Sequence, residues 1–188
     1  MRIDLDLNEL LDYFERHYTY SAYRWETLPA YDVGSDGGDV ARYLRGEPEP
    51  DVELTAGWRQ VLRDEKAAGK WRHRVRLLHA PITPYERYEC EWGYLPNAAC
   101  GEDIRVLSPG EHHIPSGLPD HDFWLLDEMH PVTMRYSATG EFEGATVEPG
   151  LLGEYRVARE QALACAVRFE GWWARHPELH RDQFRKAA

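Results

Sequence analysis

The heptapeptide Trp71-Arg72-His73-Arg74-Val75-Arg76-Leu77 constrains the fold of this chain more than any other stretch. Its polarity alternates with period two, so the spacing predicts a β-strand whose successive side chains point to opposite faces. Trp71, His73, Val75 and Leu77 then form a mostly apolar face that must meet a core. Arg72, Arg74 and Arg76 share the other face, where three guanidinium groups repel one another unless negative charge lies among them. The chain is rich in such charge, with 33 acidic against 22 basic residues and a net charge of −11. Two readings of the stripe stay open. It is structural if carboxylates such as Glu86, Glu89, Glu91, Glu102 and Asp103 absorb it, and it binds a small anionic ligand if a guanidinium is left free.

The same net charge repels phosphate at long range, so direct binding to nucleic acid or to an anionic membrane is not expected. With 43% hydrophobic and 29% charged residues the composition is that of a globular domain. Three cysteines, Cys90, Cys100 and Cys165, are an odd number without metal-type spacing. They argue for a reducing compartment, and the expected location is cytoplasmic. No apolar run reaches the length of a membrane span.

Around the stripe, apolar spacing predicts helices over Leu7–Tyr18 (capped by Asp6 or Asn8), Asp39–Arg45, Leu54–Ala68 with Trp58, Val61 and Leu62 buried, and one that starts within Pro81–Pro84 and reaches about Leu95. Strands are predicted at Tyr20–Leu28, Trp71–His79, Ile104–Leu107, Phe123–Asp127, Val132–Tyr136 and Phe142–Val147. Ser137–Gly140 reads as the hairpin turn between the last two, and residues 34–38 as a breaker. A long C-terminal helix is expected from Leu151 to about Arg175. The fold class is therefore α/β (α+β): one domain over residues 1–176, with a single mixed sheet of about five or six strands flanked by helices, and a loose tail over 177–188. Trp58, Val75, Leu77, Phe123, Leu125, Val132, Leu163 and Val167 are the expected core.

Chemistry has three candidate carboxylates, Glu89, Asp103 and Asp122. Asp122 and Asp127 flank the strand Phe123–Leu126, where an acid can serve as base or ligand or simply hold a turn. Tyr85, Glu89 and Trp92 fall on one α-helical face, where an acid among aromatics has a raised pKa, although such a stripe is commonly core. Arg72, Arg74, Arg76, Tyr85, Trp92 and Arg105 are the candidate ligand-binding residues. His112, His113, His121 and His130 lack the spacing of a metal site, and neither a metal nor a cofactor is expected. Cys100 is the one cysteine in a setting open to reactivity, since Cys90 lies between Glu89 and Glu91 and Cys165 in an apolar run. Serine-hydrolase, P-loop and dinucleotide motifs are absent.

The stretches YRWETLPAYDV, RYLRGEP, RVRLLHAPITPYERYE, NAACGEDIRVL, LPDHDFWLLD, VTMRYSATGEFEGA and YRVAREQALACAV occur in that order along the chain. Over about Leu10 to Phe169 they resemble the actinobacterial domain-of-unknown-function family numbered 6879, most specifically at Gly101–Arg105 and Asp122–Trp124. The resemblance implies no established activity and no catalytic residues. It does imply work beside helix-turn-helix regulators, near which members are often encoded. The layout is also similar to phospholipase-D-like domains of bacterial regulators, but none of the nine histidines is followed two residues later by lysine, as that catalytic signature requires. Two functional expectations result. One is a non-catalytic ligand-binding or regulatory module acting through a partner such as a helix-turn-helix regulator. The other is a small enzyme that uses Glu89, Asp103 or Asp122 with an arginine to orient an anionic substrate.

Overall fold

The structure, a computed structural model, describes residues 2–32, 34 and 38–181. One mixed sheet of eight strands crosses it in the order β1-β7-β6-β5-β2-β3-β4-β8. The expectation of about five or six strands misses the two edges. β1 (Ile3–Leu5) pairs antiparallel with β7 (Phe142–Val147), and β8 (Val167–Arg168) pairs antiparallel with β4 (Asp103–Leu107). Strands of three and two residues are too short to show a period, so only their sheet neighbours define them.

β8 also divides the expected C-terminal helix. α6 runs Leu152–Cys165, Ala166 turns extended at φ −76° and ψ 145°, and α7 resumes at Phe169–Ala174. The local sequence favours helix throughout, but the edge of β4 offers unpaired backbone groups at Arg105 and Val106, and pairing there outweighs propensity.

In the middle of the sheet, β2 (Ser21–Glu26) pairs antiparallel with β5 (Phe123–Leu126) and parallel with β3 (Trp71–Leu77), which pairs parallel with β4. Parallel neighbours need crossovers. The first contains α2 (Asp39–Leu44) and α3 (Val52–Ala67). The second contains α4 (Pro84–Tyr88), a π-helical segment Glu89–Tyr94, and α5 (Leu95–Cys100). β6 (His130–Tyr136) joins β5 to β7. Its turn into β7 requires Gly140, where φ is 87° and a Cβ would stand 2.5 Å from the Ala30 carbonyl oxygen.

α1 (Leu7–His17) opens on a capping box in which Asp6 and Glu9 each accept the other's backbone N–H, a device worth about 1 kcal/mol. It lays Leu10 and Tyr13 over Leu126, Val132, Met134, Ala145 and Val147. On the opposite face α6 sets Tyr155, Ala158 and Ala162 against Tyr23, Trp25, Val75, Leu107, Phe123 and Leu125. α7 closes a third cluster with Trp172 and Trp173 beside Ile104 and Val106.

Val75, Phe123, Leu125 and Val132 of the expected core are fully buried, and Leu77, Leu163 and Val167 pack at its margin. Trp58 is not core: it is 39% exposed, and Val61 is 42% exposed. Only Leu62 of the sixteen residues of α3 is buried, because the helix turns its apolar stripe along the sheet surface instead of into it. The expected breaker lies outside the described residues at 35–37, and the expected tail lies outside them at 182–188. Its earlier part, Pro177–Leu179, forms a turn of 3-10 helix.

Candidate functional site

Parallel register places Ala22 beside Arg72, Arg24 beside Arg74 and Glu26 beside Arg76. Neighbours in register share a face, so two central strands present four guanidinium groups and a carboxylate to one side of the sheet. The two crossovers and the approach to β5 supply the counter-charges. Arg72 donates from Nε and Nη2 to Glu65 of α3, both at 2.7 Å. Arg74 donates to Glu102 at 2.7 Å and to Glu26 at 3.0 Å. Arg76 reaches the Tyr31 hydroxyl at 3.0 Å, Glu86 at 3.4 Å and the Leu28 carbonyl. Arg24 donates to Asp122 and to the Tyr136 hydroxyl, each at 2.8 Å. Every arginine of the stripe is thus paired with a carboxylate: Glu86 and Glu102 are among the acids expected to absorb the stripe, while Glu26 and Glu65 are not.

Glu89 stands apart within this belt. The segment Glu89–Tyr94 is π-helical, so the residue that returns to the side of Glu89 is Tyr94, five positions on. Trp92, expected on that side by α-helical spacing, faces Tyr43 and Tyr88 instead. Burial first, and then the neighbouring Glu26 carboxylate, push the Glu89 carboxyl up to about 7, while Arg74, Arg76 and the Tyr94 hydroxyl oppose the rise. Glu26 shifts the other way, to about 2: burial works against it, but Arg74, Arg24, Arg76 and the Tyr94 hydroxyl prevail. Burial dominates, and the arginines offset it only in part, since Glu26, Glu86, Glu102 and Asp122 already hold Arg24, Arg74 and Arg76. A fifth carboxylate beside them therefore holds its proton to higher pH than an ordinary glutamate does. Tyr85 lies in the field of both Glu89 and Arg76, so the structure brings together Arg74, Arg76, Tyr85 and Glu89.

The other expected acids lie elsewhere or are fully engaged. Asp122 accepts from Thr27 N–H, the Thr27 hydroxyl, the Tyr31 hydroxyl and Arg24, which exhausts a carboxylate. Asp103 is on the opposite face, in register with His73, and meets Arg105 at 3.6 Å and the Trp71 indole N–H at 3.4 Å. Arg105 is therefore remote from the stripe. Asp127 accepts the backbone N–H groups of Thr19, Tyr20 and Ser21 and ties β5 to the start of β2. Burial pushes the Cys90 thiol well up, and Cys100 accepts from Arg63 at 3.2 Å. Among the described residues no group of three or more His, Cys, Asp or Glu is placed to hold a metal ion. None of their helices is long and apolar enough to cross a membrane.

Beside the belt, α1 and α3 enclose a groove of 710 Å³. Leu10, Leu11, Phe14 and Tyr18 form one wall, Trp58 and Val61 the other, and Trp124 with Arg72 the floor. Arg72 lies over the rings of Tyr18 at 4.9 Å and Trp58 at 5.0 Å, so one arginine of the stripe also belongs to the groove.

The model of a family described as "Domain of unknown function (DUF6879)" matches residues 8–174. The chain belongs to the DUF6879 family. No curated protein matches it. The DUF6879 match spans α1 to α7 and so contains the belt, Glu89 and the groove. Sequence reasoning missed Arg24, Glu26, Glu65, Tyr31 and Tyr94 in this domain. The alternation of Tyr23 and Trp25 with Arg24 and Glu26 was the available signal, but all six residues of β2 are buried, because the strand lies at the centre of an eight-stranded sheet covered on both faces.

Proposed function

We propose that this DUF6879 chain is a non-catalytic accessory module that docks an amphipathic segment of a basic partner protein in the α1–α3 groove. The observation that carries the reading is α3 itself. Leu54, Trp58 and Val61 repeat at helical spacing along it and are 54%, 39% and 42% exposed, and Trp58 and Val61 line the groove with Leu11 of α1, itself 58% exposed. An apolar stripe on two neighbouring helices, continuous with a groove between them, is the surface that a partner helix covers. Charge selects the class of partner. A chain at −11 attracts a positively charged protein at long range, while the groove itself balances Glu15 and Glu65 against Lys70 and Arg72. The helix-turn-helix regulators associated with the family are of this kind, because DNA binding requires positive charge of them. On this reading the chain acts on DNA only through such a partner and works in the cytoplasm.

The test is calorimetric titration of this chain with helix-turn-helix regulator proteins of its own host. A one-to-one complex that Val61→Glu or Leu11→Glu weakens at least about tenfold supports the reading. A complex indifferent to both substitutions, self-association through the groove, or no complex overturns it.

A second reading, a small enzyme, is favoured by one observation, the Glu89 carboxyl at about 7 beside Arg74, Arg76 and the Tyr94 hydroxyl. Within that reading Glu89 is the acid–base group, while Arg74, held by Glu26 and Glu102, has no guanidinium face left to orient a substrate. Asp103 and Asp122 have no part in it, since one lies on the far face and the other is saturated.

A further inference from the structure

Near the C-terminal end of the described chain, Arg181 is held by five groups that share no role with the belt or the groove. Its guanidinium carbon lies 4.4 Å from the centre of the Tyr43 ring and 5.0 Å from that of Trp92. The two rings stand nearly perpendicular, at 83° and 5.2 Å, and form two walls of a corner. Arg181 Nε faces the Glu91 carboxylate at 3.6 Å, while Nη1 and Nη2 donate to the carbonyls of Tyr43 at 3.3 Å and Pro48 at 3.1 Å. Aromatic faces, an acid and two backbone acceptors in the plane of the group are the complement of a guanidinium. Tyr43 and Trp92 are only 5% and 7% exposed, and both belong to helical crossovers, so the corner is built by the domain and not by the tail. Arg181 itself lies beyond the residues matched by the family model.

We propose that Tyr43, Trp92, Glu91 and the carbonyls of Tyr43 and Pro48 form a guanidinium-binding cage, which Arg181 occupies as an internal ligand and which takes an arginine side chain of a partner protein when Arg181 leaves. The cage is a binding site distinct from the α1–α3 groove and independent of the docking proposed there. Its class of ligand follows from its acceptor set: a lysine ammonium can satisfy the acid but cannot also reach both carbonyls from the corner between the two rings. Arg181 competes as a tethered group at an effective concentration in the millimolar range or above, so it masks the cage from free ligand.

The experiment titrates the full chain and its Arg181→Ala variant with N-acetyl-arginine amide, following the Trp92 indole N–H by NMR. The expected result is saturable binding to Arg181→Ala with a Kd on the order of 1–10 mM, and binding at least about tenfold weaker to the parent. Adding Glu91→Gln to Arg181→Ala removes the binding. The remaining indole signals report whether this double variant keeps the fold, and Tyr43→Leu in the Arg181→Ala background, which leaves Glu91 in place, removes the binding as well. Equal affinity of parent and Arg181→Ala overturns the proposal. Equal response to N-acetyl-lysine amide overturns the guanidinium class, and no saturable binding by Arg181→Ala overturns the cage.

Discussion

The two faces of the central sheet solve the same burial problem with opposite chemistry. Behind β2 and β3, Tyr23, Trp25 and Val75 join Phe123 and Leu125 under α6, and the Phe123 ring stacks on Tyr155 at 3.9 Å. In front, the same two strands present Arg24, Glu26, Arg72, Arg74 and Arg76, and the crossover helices bring acids where apolar side chains would suffice. Burying an apolar face is non-directional and tolerates repacking. A buried ionic face gains little net stability over an apolar one, but removing a single partner strands a charge. It therefore ties α3, α4, the π-helical segment and the β5 approach to defined positions against the sheet. The back face supplies stability, and the front face supplies position.

The largest effect that separates the faces comes from Arg74→Met. The substitution strands Glu102 without a cation and leaves Glu26 only Arg24, at 3.5 Å, and it costs about 3–5 kcal/mol. Phe123→Ala on the back face costs a similar amount, about 3–5 kcal/mol, through a cavity. Second substitutions distinguish the two losses. Glu102→Gln restores part of the stability of Arg74→Met because it removes a stranded charge, and it restores none to Phe123→Ala. Urea denaturation of the single and double variants measures this. An Arg74→Met protein as stable as the parent shows that the front face is held by packing alone.

A smaller and pH-dependent effect is expected at Glu89. Its carboxyl titrates near 7 in the folded chain against 4.5 as an ordinary glutamate, so the folded state binds the proton more tightly. Stability from this group is intact below pH 4.5, falls as pH rises, and is lost above about 7. Glu89→Gln mimics the protonated form. The variant is therefore more stable than the parent at pH 8 by about 1–3 kcal/mol and equal to it at pH 4. Glu26 has the reverse sign: its carboxyl sits near 2, so its contribution is present above 4.5 and lost as pH falls toward 2. Thermal unfolding at both pH values reads the pair, and a Glu89→Gln variant less stable than the parent at pH 8 excludes a protonated Glu89.

How much of this was legible depends on which interactions are local. The period-two pattern at Trp71–Leu77 is a property of seven residues, and it correctly separates the faces of β3. The capping box at Asp6 and the hairpin turn at Ser137–Gly140 are equally local. Partners of the stripe are not. Glu26 meets Arg74 across 48 residues and Asp122 meets Arg24 across 98, so only the strand order decides them. The site at Glu89 was legible in composition but not in phase. One π turn rotates every residue after it, exchanging Trp92 for Tyr94 beside the acid, and no periodicity of 3.6 residues can show that. The apolar spacing of α3 predicts a core stripe because spacing shows that a face is apolar and not what covers it.

The smallest expected effect lies on that stripe, where the contrast between buried and exposed apolar surface is sharpest within one helix. Leu62 is 2% exposed and Val61, its neighbour in sequence, is 42% exposed. Leu62→Ala removes buried methyl groups and costs about 2–5 kcal/mol. Val61→Glu and Leu11→Glu place a charge where water already reaches, and each changes stability by no more than about 0.5 kcal/mol. Thermal unfolding of the three variants gives the comparison directly. If Val61→Glu destabilises the isolated chain as much as Leu62→Ala does, the wall of the groove is core after all and has no partner to wait for. If it is neutral, α3 is held to the domain by Leu62, by Arg72 and Tyr18 donating to Glu65, and by Arg63 on Cys100, without help from Val61. An apolar stripe that contributes nothing to the stability of its own chain then has its physical use in contact with another.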